Sequence, residues 1–182
     1  EITLHNGIFP KTGEQLGPKT GDPAEFKTFD ELLNAFKTQF AYFLGLNAEY
    51  GNLWISAHSE GFPDPVRTAF MNDAIKVGKN FLNRTFLLEN AATLNMVGMM
   101  NTADSLTAMK RLVFEEKKYT MKEMLNALAA NWEGYDQMKK DCLAAPKCGN
   151  DNDYADSMAA ELFQFLGEKA KTFGTVLGGT HI

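Results

Sequence analysis

Phe29, Leu32, Leu33, Phe36, Phe40, Phe43 and Leu44 follow one another at three- and four-residue steps. That spacing gathers the side chains on one face of an α-helix and would scatter them over both faces of a strand. The chain is thereby committed to an amphipathic helix whose apolar face needs a covering layer. Thr28-Phe29-Asp30-Glu31 has the S/T-x-x-E form of a capping box and opens it. The helix is expected to run past Gly45 towards Trp54 or His58, with Gly51 as a weak point. Gly61 to Pro65 closes it.

The same reading extends along the chain. Residues 1–27 hold Asn6-Gly7, Pro10, Gly13, Gly17-Pro18, Gly21 and Pro23, which reads as a long irregular surface segment. Asp64 is expected to cap a second helix, with Pro65 at its first position, running to Gly78. Residues 80–100 are apolar without helical phase and read as one or two short buried strands or extended loops. Asn101 or Thr102 is expected to cap a third helix, Ala103 to Glu116. Thr120-Met121-Lys122-Glu123 is a second capping box and predicts one long helix ending before Pro146. Asp153 to Lys171 predicts a last helix, and the tail FGTVLGGTHI reads as a strand beginning.

Composition narrows the function classes. With 182 residues, 45% apolar and 14 Phe, the chain can bury a core, which excludes global disorder. A net charge of -5 argues against a nucleic-acid-binding surface. No apolar run reaches the ~18–20 residues of a membrane span, and no signal-peptide pattern opens the chain. Cys142 and Cys148, in C-x5-C spacing, match no common zinc or redox motif and read as free structural thiols in a reducing, cytoplasmic setting.

Candidate chemistry in the residues is sparse. His5, His58 and His181 have no metal-ligand spacing. His58 lies near Glu60 but reads as a helix-end histidine. Asp151, Asp153 and Asp156 resemble part of a calcium loop, without its glycine and terminal glutamate, and read as caps and turns. Met96, Met99 and Met100 read as core, or as a pliable apolar pocket. Asn90, Thr93 and Asn95 interrupt that apolar stretch, and a buried asparagine needs hydrogen bonds or a ligand. From the residues alone the reading is a helix-rich domain with one apolar strand-loop.

Four segments carry a resemblance in order. They are T-G-D-P-x-x-F-x-T-F-D-E-L-L at 20–33 and N-x-A-D-S-L-x-A-x-K-x-L-V-F at 101–114, then T-M-x-E with A-N-W-E-G-Y at 120–135 and A-P-K-x-G-N-D-x-x-Y at 145–154. Together they resemble the glycyl radical enzymes, the pyruvate formate-lyase-like family. N-R-T-F at 83–86 and V-G-M-M-N at 97–101 resemble the branch holding the benzylsuccinate and alkylsuccinate synthase alpha subunits. Those synthases carry tryptophan where this chain has Cys148.

The resemblance implies an α/β fold: a helix-rich segment of the ten-stranded glycyl radical enzyme β/α barrel. It implies a glycyl radical, installed by an iron–sulfur S-adenosylmethionine activase, that oxidises a catalytic cysteine to a thiyl radical. In the synthases the substrate radical then adds to fumarate. The cysteine context lies upstream and the R-V-x-G-Y-like glycine context downstream in the family, and neither occurs here. Residues 1–182 are therefore expected to be an internal segment of one domain, inactive alone, binding no cofactor or metal itself. Asn95, Met99 and Thr102 are the expected substrate-pocket residues. An apolar hydrocarbon and fumarate are the expected substrates, with the activase, small accessory subunits and a homo-oligomer as partners, and no nucleic acid or membrane. An arylacetate decarboxylase or another glycyl radical lyase is the alternative within the family. A noncatalytic helical binding module is the alternative outside it.

Overall fold

The structure is a computed structural model that describes residues 1–71, 74–83 and 92–182. It contains α1 (Phe29–Gly61), α2 (Pro65–Ala69), α3 (Ala74–Val77), α4 (Met99–Met109), α5 (Met121–Ala129), α6 (Asp136–Ala144) and α7 (Asp153–Ala170). A small antiparallel pair, β1 (Ile8–Phe9) and β2 (Glu14–Gln15), precedes them. The chain divides into two units, residues 1–42 with 96–165 and residues 43–95 with 166–182.

The first unit is built on the apolar stripe of α1. Leu32 and Leu33 are buried with Met99, Ala103 and Leu106 of α4 and with Met158, Ala159 and Leu162 of α7. Phe36 and Phe40 pack against this cluster and stack with ring centroids 5.5 Å apart. Truncating a leucine as buried as Leu32 or Leu162 typically costs about 2–5 kcal/mol. A second cluster joins Val113, Met121, Met124, Ala127 and Met138. Both capping boxes form as expected: Glu31 N–H donates to Thr28 Oγ1 at 3.3 Å, and Glu123 N–H to Thr120 Oγ1 at 3.2 Å.

Residues 1–27 are better ordered than their turn-rich sequence suggests. A 3-10 turn spans Ile2–His5, and side chains then fasten the backbone. Asn6 Oδ1 accepts from the N–H groups of Thr20 and Gly21 at 2.7 and 2.9 Å. Gln15 Nε2 donates to the carbonyls of Asn6 and Gly17, and Gln39 Nε2, on buried α1, donates to the Pro18 carbonyl at 2.5 Å. Gly7 sits at the centre with φ +85°, where a Cβ would lie 2.4 Å from Pro18 O and 2.6 Å from Gly17 O.

In the second unit, Leu44, Ala48, Ile55, Ala74 and Ala92 are buried. Gly45 leaves room for the Phe173 ring. The Asn52 carboxamide donates to Gly174 O at 2.9 Å and accepts from Val176 N–H at 3.1 Å. Leu94 N–H donates to Ile182 O and Ile182 N–H to Ala92 O, both at 2.9 Å. The tail is therefore held by isolated bridges, Ala92 to His181 and Gly174 to Thr180, and not as an unpaired strand. Of the strands expected within 80–100, the Ala92 bridge is described, beside a 3-10 turn at Phe81–Asn83. Asn90 and Arg84 to Phe86 lie outside the described residues.

Four helix expectations need correction. Asp64 caps α2 as expected, accepting from Arg67 N–H at 2.8 Å. The helix does not run on to Gly78, because Phe70 and Met71 donate three residues back, to Arg67 and Thr68, and end α2. The expected helix over 121–145 is two helices. Trp132 N–H reaches Ala127 O and Asn131 N–H reaches Leu128 O, a Schellman arrangement with Asn131 and Trp132 in the left-handed region. The helix expected to be capped by Asn101 or Thr102 begins at Met99, with Gly98 at φ 84° as its N-cap. That helix also passes into a π-helical stretch, Lys110–Glu115, before it ends.

Two substitutions separate conformation from crowding. Gly7→Ala is expected to lower stability in the parent protein by more than about 2 kcal/mol, through left-handed strain plus collision. Gly13→Ala, at φ +74° with nothing within 4 Å, is expected to cost about 1–2 kcal/mol from strain alone. Urea unfolding of both variants measures the difference.

Candidate functional site

A groove of about 980 Å³ opens on the first unit. The 3-10 turn Ile2–His5 supplies Thr3, Leu4 and His5, α1 supplies Leu32 and Phe36, and α4 supplies Asn101, Thr102 and Ser105. From α5 come Leu125, Asn126 and Leu128. Its floor is apolar and its rim polar, which suits a site that holds an uncharged occupant. Thr102 was expected here, but its hydroxyl donates to Gly98 O at 3.1 Å, inside its own helix. Met99 is buried in the core beneath. Asn95 belongs to the second unit, where it is exposed. The structure thus brings Met99 and Thr102 onto one turn of α4. Sequence reasoning missed Thr3, His5 and Asn126, because residues 1–27 carry no periodicity and Asn126 sits on a helix read only for its apolar face.

A smaller cavity of about 230 Å³ lies between α4, α5 and α6, lined by Met109, Met124, Trp132, Cys142 and Lys147 among others. Lys147 Nζ donates to the carbonyls of Cys142 and Ala145, both at 2.9 Å. Burial pushes the Cys142 thiol above its ordinary value. The Cys148 thiol is also raised, chiefly by its hydrogen bond to Asp156. Both thiols are unpaired with one another and stay protonated at neutral pH.

The acidic run around residue 151 is structural. Asp156 Oδ1 accepts from Gly149 N–H at 2.9 Å, and that bond, followed by the Cys148 thiol, holds Asp156 below the usual carboxylate range. Asn152 O accepts from Ala155 and Asp156 N–H at the start of α7. Asp104 Oδ1 accepts from Cys148 N–H at 2.8 Å, tying the connector to α4. Among the described residues no three His, Cys, Asp or Glu side chains converge as metal ligands. His58 stacks on Trp54 with centroids 4.1 Å apart and hydrogen-bonds Trp54 O through Nδ1, which is a helix-end role.

Two charged networks brace the helices. Lys110 Nζ lies 5.0 Å from the Tyr154 ring and 3.9 Å from Glu115, and Tyr154 donates to Glu115 at 2.7 Å. Burial, then Glu115, raises the Tyr154 hydroxyl far above its ordinary range. Asp141 accepts from Lys118 Nζ at 2.7 Å, from Gln137 Nε2 at 3.1 Å and from the Tyr119 hydroxyl. Lys118, then Tyr119, holds Asp141 low, while Asp141 pushes Tyr119 up to about 12.

The comparisons place this geometry. The model of the pyruvate formate lyase-like family matches residues 1–182. Trans-4-hydroxy-L-proline dehydratase of Clostridioides difficile is 36% identical over 182 residues, covering 100% of this chain and 23% of the relative. Its crystal structure with bound substrate superposes with a TM-score of 0.88, covering 99% of this chain and 23% of that one at 35% identity. Isethionate sulfite-lyase of Nitratidesulfovibrio vulgaris is 34% identical, covering 98% of this chain and 22% of the relative. A glycyl radical enzyme from Archaeoglobus fulgidus superposes with a TM-score of 0.85 at 25% identity, covering 100% of this chain and 23% of that one. The chain belongs to the pyruvate formate lyase-like family of glycyl radical enzymes, as a helix-rich piece of that fold. It spans less than a quarter of the length of the relatives it matches.

The Tyr119–Asp141 pair gives a spectroscopic test. A tyrosine raised in the folded state stabilises the fold below its ordinary value of about 10, and that contribution is lost as pH rises through the folded value. Asp141 works in the opposite sense: its contribution is lost as pH falls through its depressed value. Tyr119 is expected to ionise near pH 12. Asp141→Asn should return it towards about 10. Ultraviolet titration, with Tyr119→Phe subtracted, reads this out.

Proposed function

We propose that residues 1–182 are an internal part of one domain of a glycyl radical enzyme that eliminates a small leaving group from a polar substrate. The observation that carries this is end-to-end similarity to a relative named as a dehydratase. A relative named as a sulfite-lyase, whose leaving group differs but whose reaction is also an elimination, supports it. In the parent, the radical supplies hydrogen-atom abstraction from a substrate carbon beside the one bearing the leaving group. The residues of this chain contribute packing and exclusion of water, which a reactive intermediate requires. Asn95 is the proposed substrate-facing side chain of the 93–102 stretch. Met99, buried in the core, and Thr102, bonded to Gly98, hold that stretch in place.

The narrower expectation of a hydrocarbon added to fumarate rests on the V-G-M-M-N and N-R-T-F resemblance. The printed activities of the two curated relatives support elimination instead. An activase acting on the parent, a homo-oligomer and a cytoplasmic setting belong to the same proposal. Among the described residues no helix is long and apolar enough to cross a membrane.

The full-length parent, produced anaerobically with an activase, tests this. Electron paramagnetic resonance should show a glycyl radical, and a panel of small hydroxylated and sulfonated compounds should include one that is consumed with release of water or sulfite. Turnover only with fumarate and a hydrocarbon would overturn elimination. Absence of the radical under conditions that activate a known relative would overturn the enzyme reading.

A further inference from the structure

The groove of the first unit pairs an apolar floor with polar groups that have found no partner. Leu32, Phe36, Leu106 and Met109 form the floor. Thr3 is nine-tenths buried, yet among the described residues its hydroxyl makes no hydrogen bond. The Asn101 carboxamide on α4 and the Asn126 carboxamide on α5 also face the groove without a protein partner. The lining carries little charge, only Glu1 and His5 at one end.

A carboxamide presents a donor and an acceptor side by side, the same pair that a peptide group presents. A helix spends both of its backbone groups internally, whereas an extended strand or loop leaves them free to bond outward. Two carboxamides and a hydroxyl above a greasy floor therefore match an extended, uncharged stretch of polypeptide better than they match a helix or a charged ligand.

We propose that an extended, uncharged segment of the parent protein, from outside residues 1–182, lies in this groove. The dehydratase relative is covered over only 23% of its length, so most of such a parent lies beyond this chain. Neutrality of the groove matches an uncharged segment, and filling it removes Phe36 and Met109 from water. The inference rests on family membership for the existence of further chain, but not on the reaction the parent performs.

Photo-cross-linking in the full-length parent tests it. Asn126→p-benzoylphenylalanine and, separately, Asn101→p-benzoylphenylalanine place the probe at exposed helical positions that the core does not use. The expected result is an intramolecular cross-link, unchanged on dilution, from each position to a peptide outside residues 1–182. Cross-links confined to residues 1–182, links to a second polypeptide that fade on dilution, or no link at either position would overturn the proposal. Radical formation, followed in the same samples by electron paramagnetic resonance, keeps the two readings apart. A cross-link without a radical would remove the proposed function and leave the groove's occupant standing.

Discussion

Leu32 and Leu33 are where the first unit is decided. They enter a cluster with side chains from α4 and α7, elements more than sixty residues further along the chain. Burial of this kind has no direction of its own, so it needs partners to orient it. The N-terminal turns supply one: Gln39, on the same helix, clasps the Pro18 carbonyl and so seats residues 1–27 against α1. Asp104 supplies another, by holding the Cys148 backbone beside α4. Apolar contact sets the strength of the assembly, and a few side-chain-to-backbone bonds set its geometry.

Local signals were legible where one residue or one short motif determines the outcome. The Thr28 and Thr120 capping boxes and the Asp64 cap form because each needs only neighbours within three residues. The break at Ala130–Gly134 was hidden, because Leu128, Trp132 and Tyr135 keep helical spacing through it. Asn131 and Gly134, which tolerate the left-handed region, were the available clue. The order within residues 1–27 was likewise invisible to periodicity. It rests on Asn6, Gln15 and Gln39, whose partners lie up to 21 residues away. For the candidate site, the apolar α4 face was readable and the groove was not, since its walls come from three separated segments.

Family resemblance reached what periodicity could not. The ordered motifs at 20–33, 101–114, 120–135 and 145–154 fall on the α1 start, α4, the α5–α6 break and the α7 approach. They are the joints of the structure more than its reactive groups. This explains why they identify the family securely and say less about the substrate. Joints are constrained by backbone geometry common to all members, whereas a leaving group is distinguished by side chains that can change without moving the frame.

The π-helical stretch Lys110–Glu115 has a consequence for chain length. A wider turn accommodates one residue more than an α-turn would, and each residue in a helix advances its side chain by about 100°. Leu112 and Val113 are both buried within it, and Val113 joins the cluster formed by Met121 and Met124. Removing one residue there would restore regular helix and swing everything that follows by more than a quarter turn, carrying Val113 off its cluster. The stretch reads as an ordinary charged helix end, so substitutions among its lysine, arginine and glutamates would be borne far more readily than the loss of any one position. Its tolerance is to chemistry and not to counting.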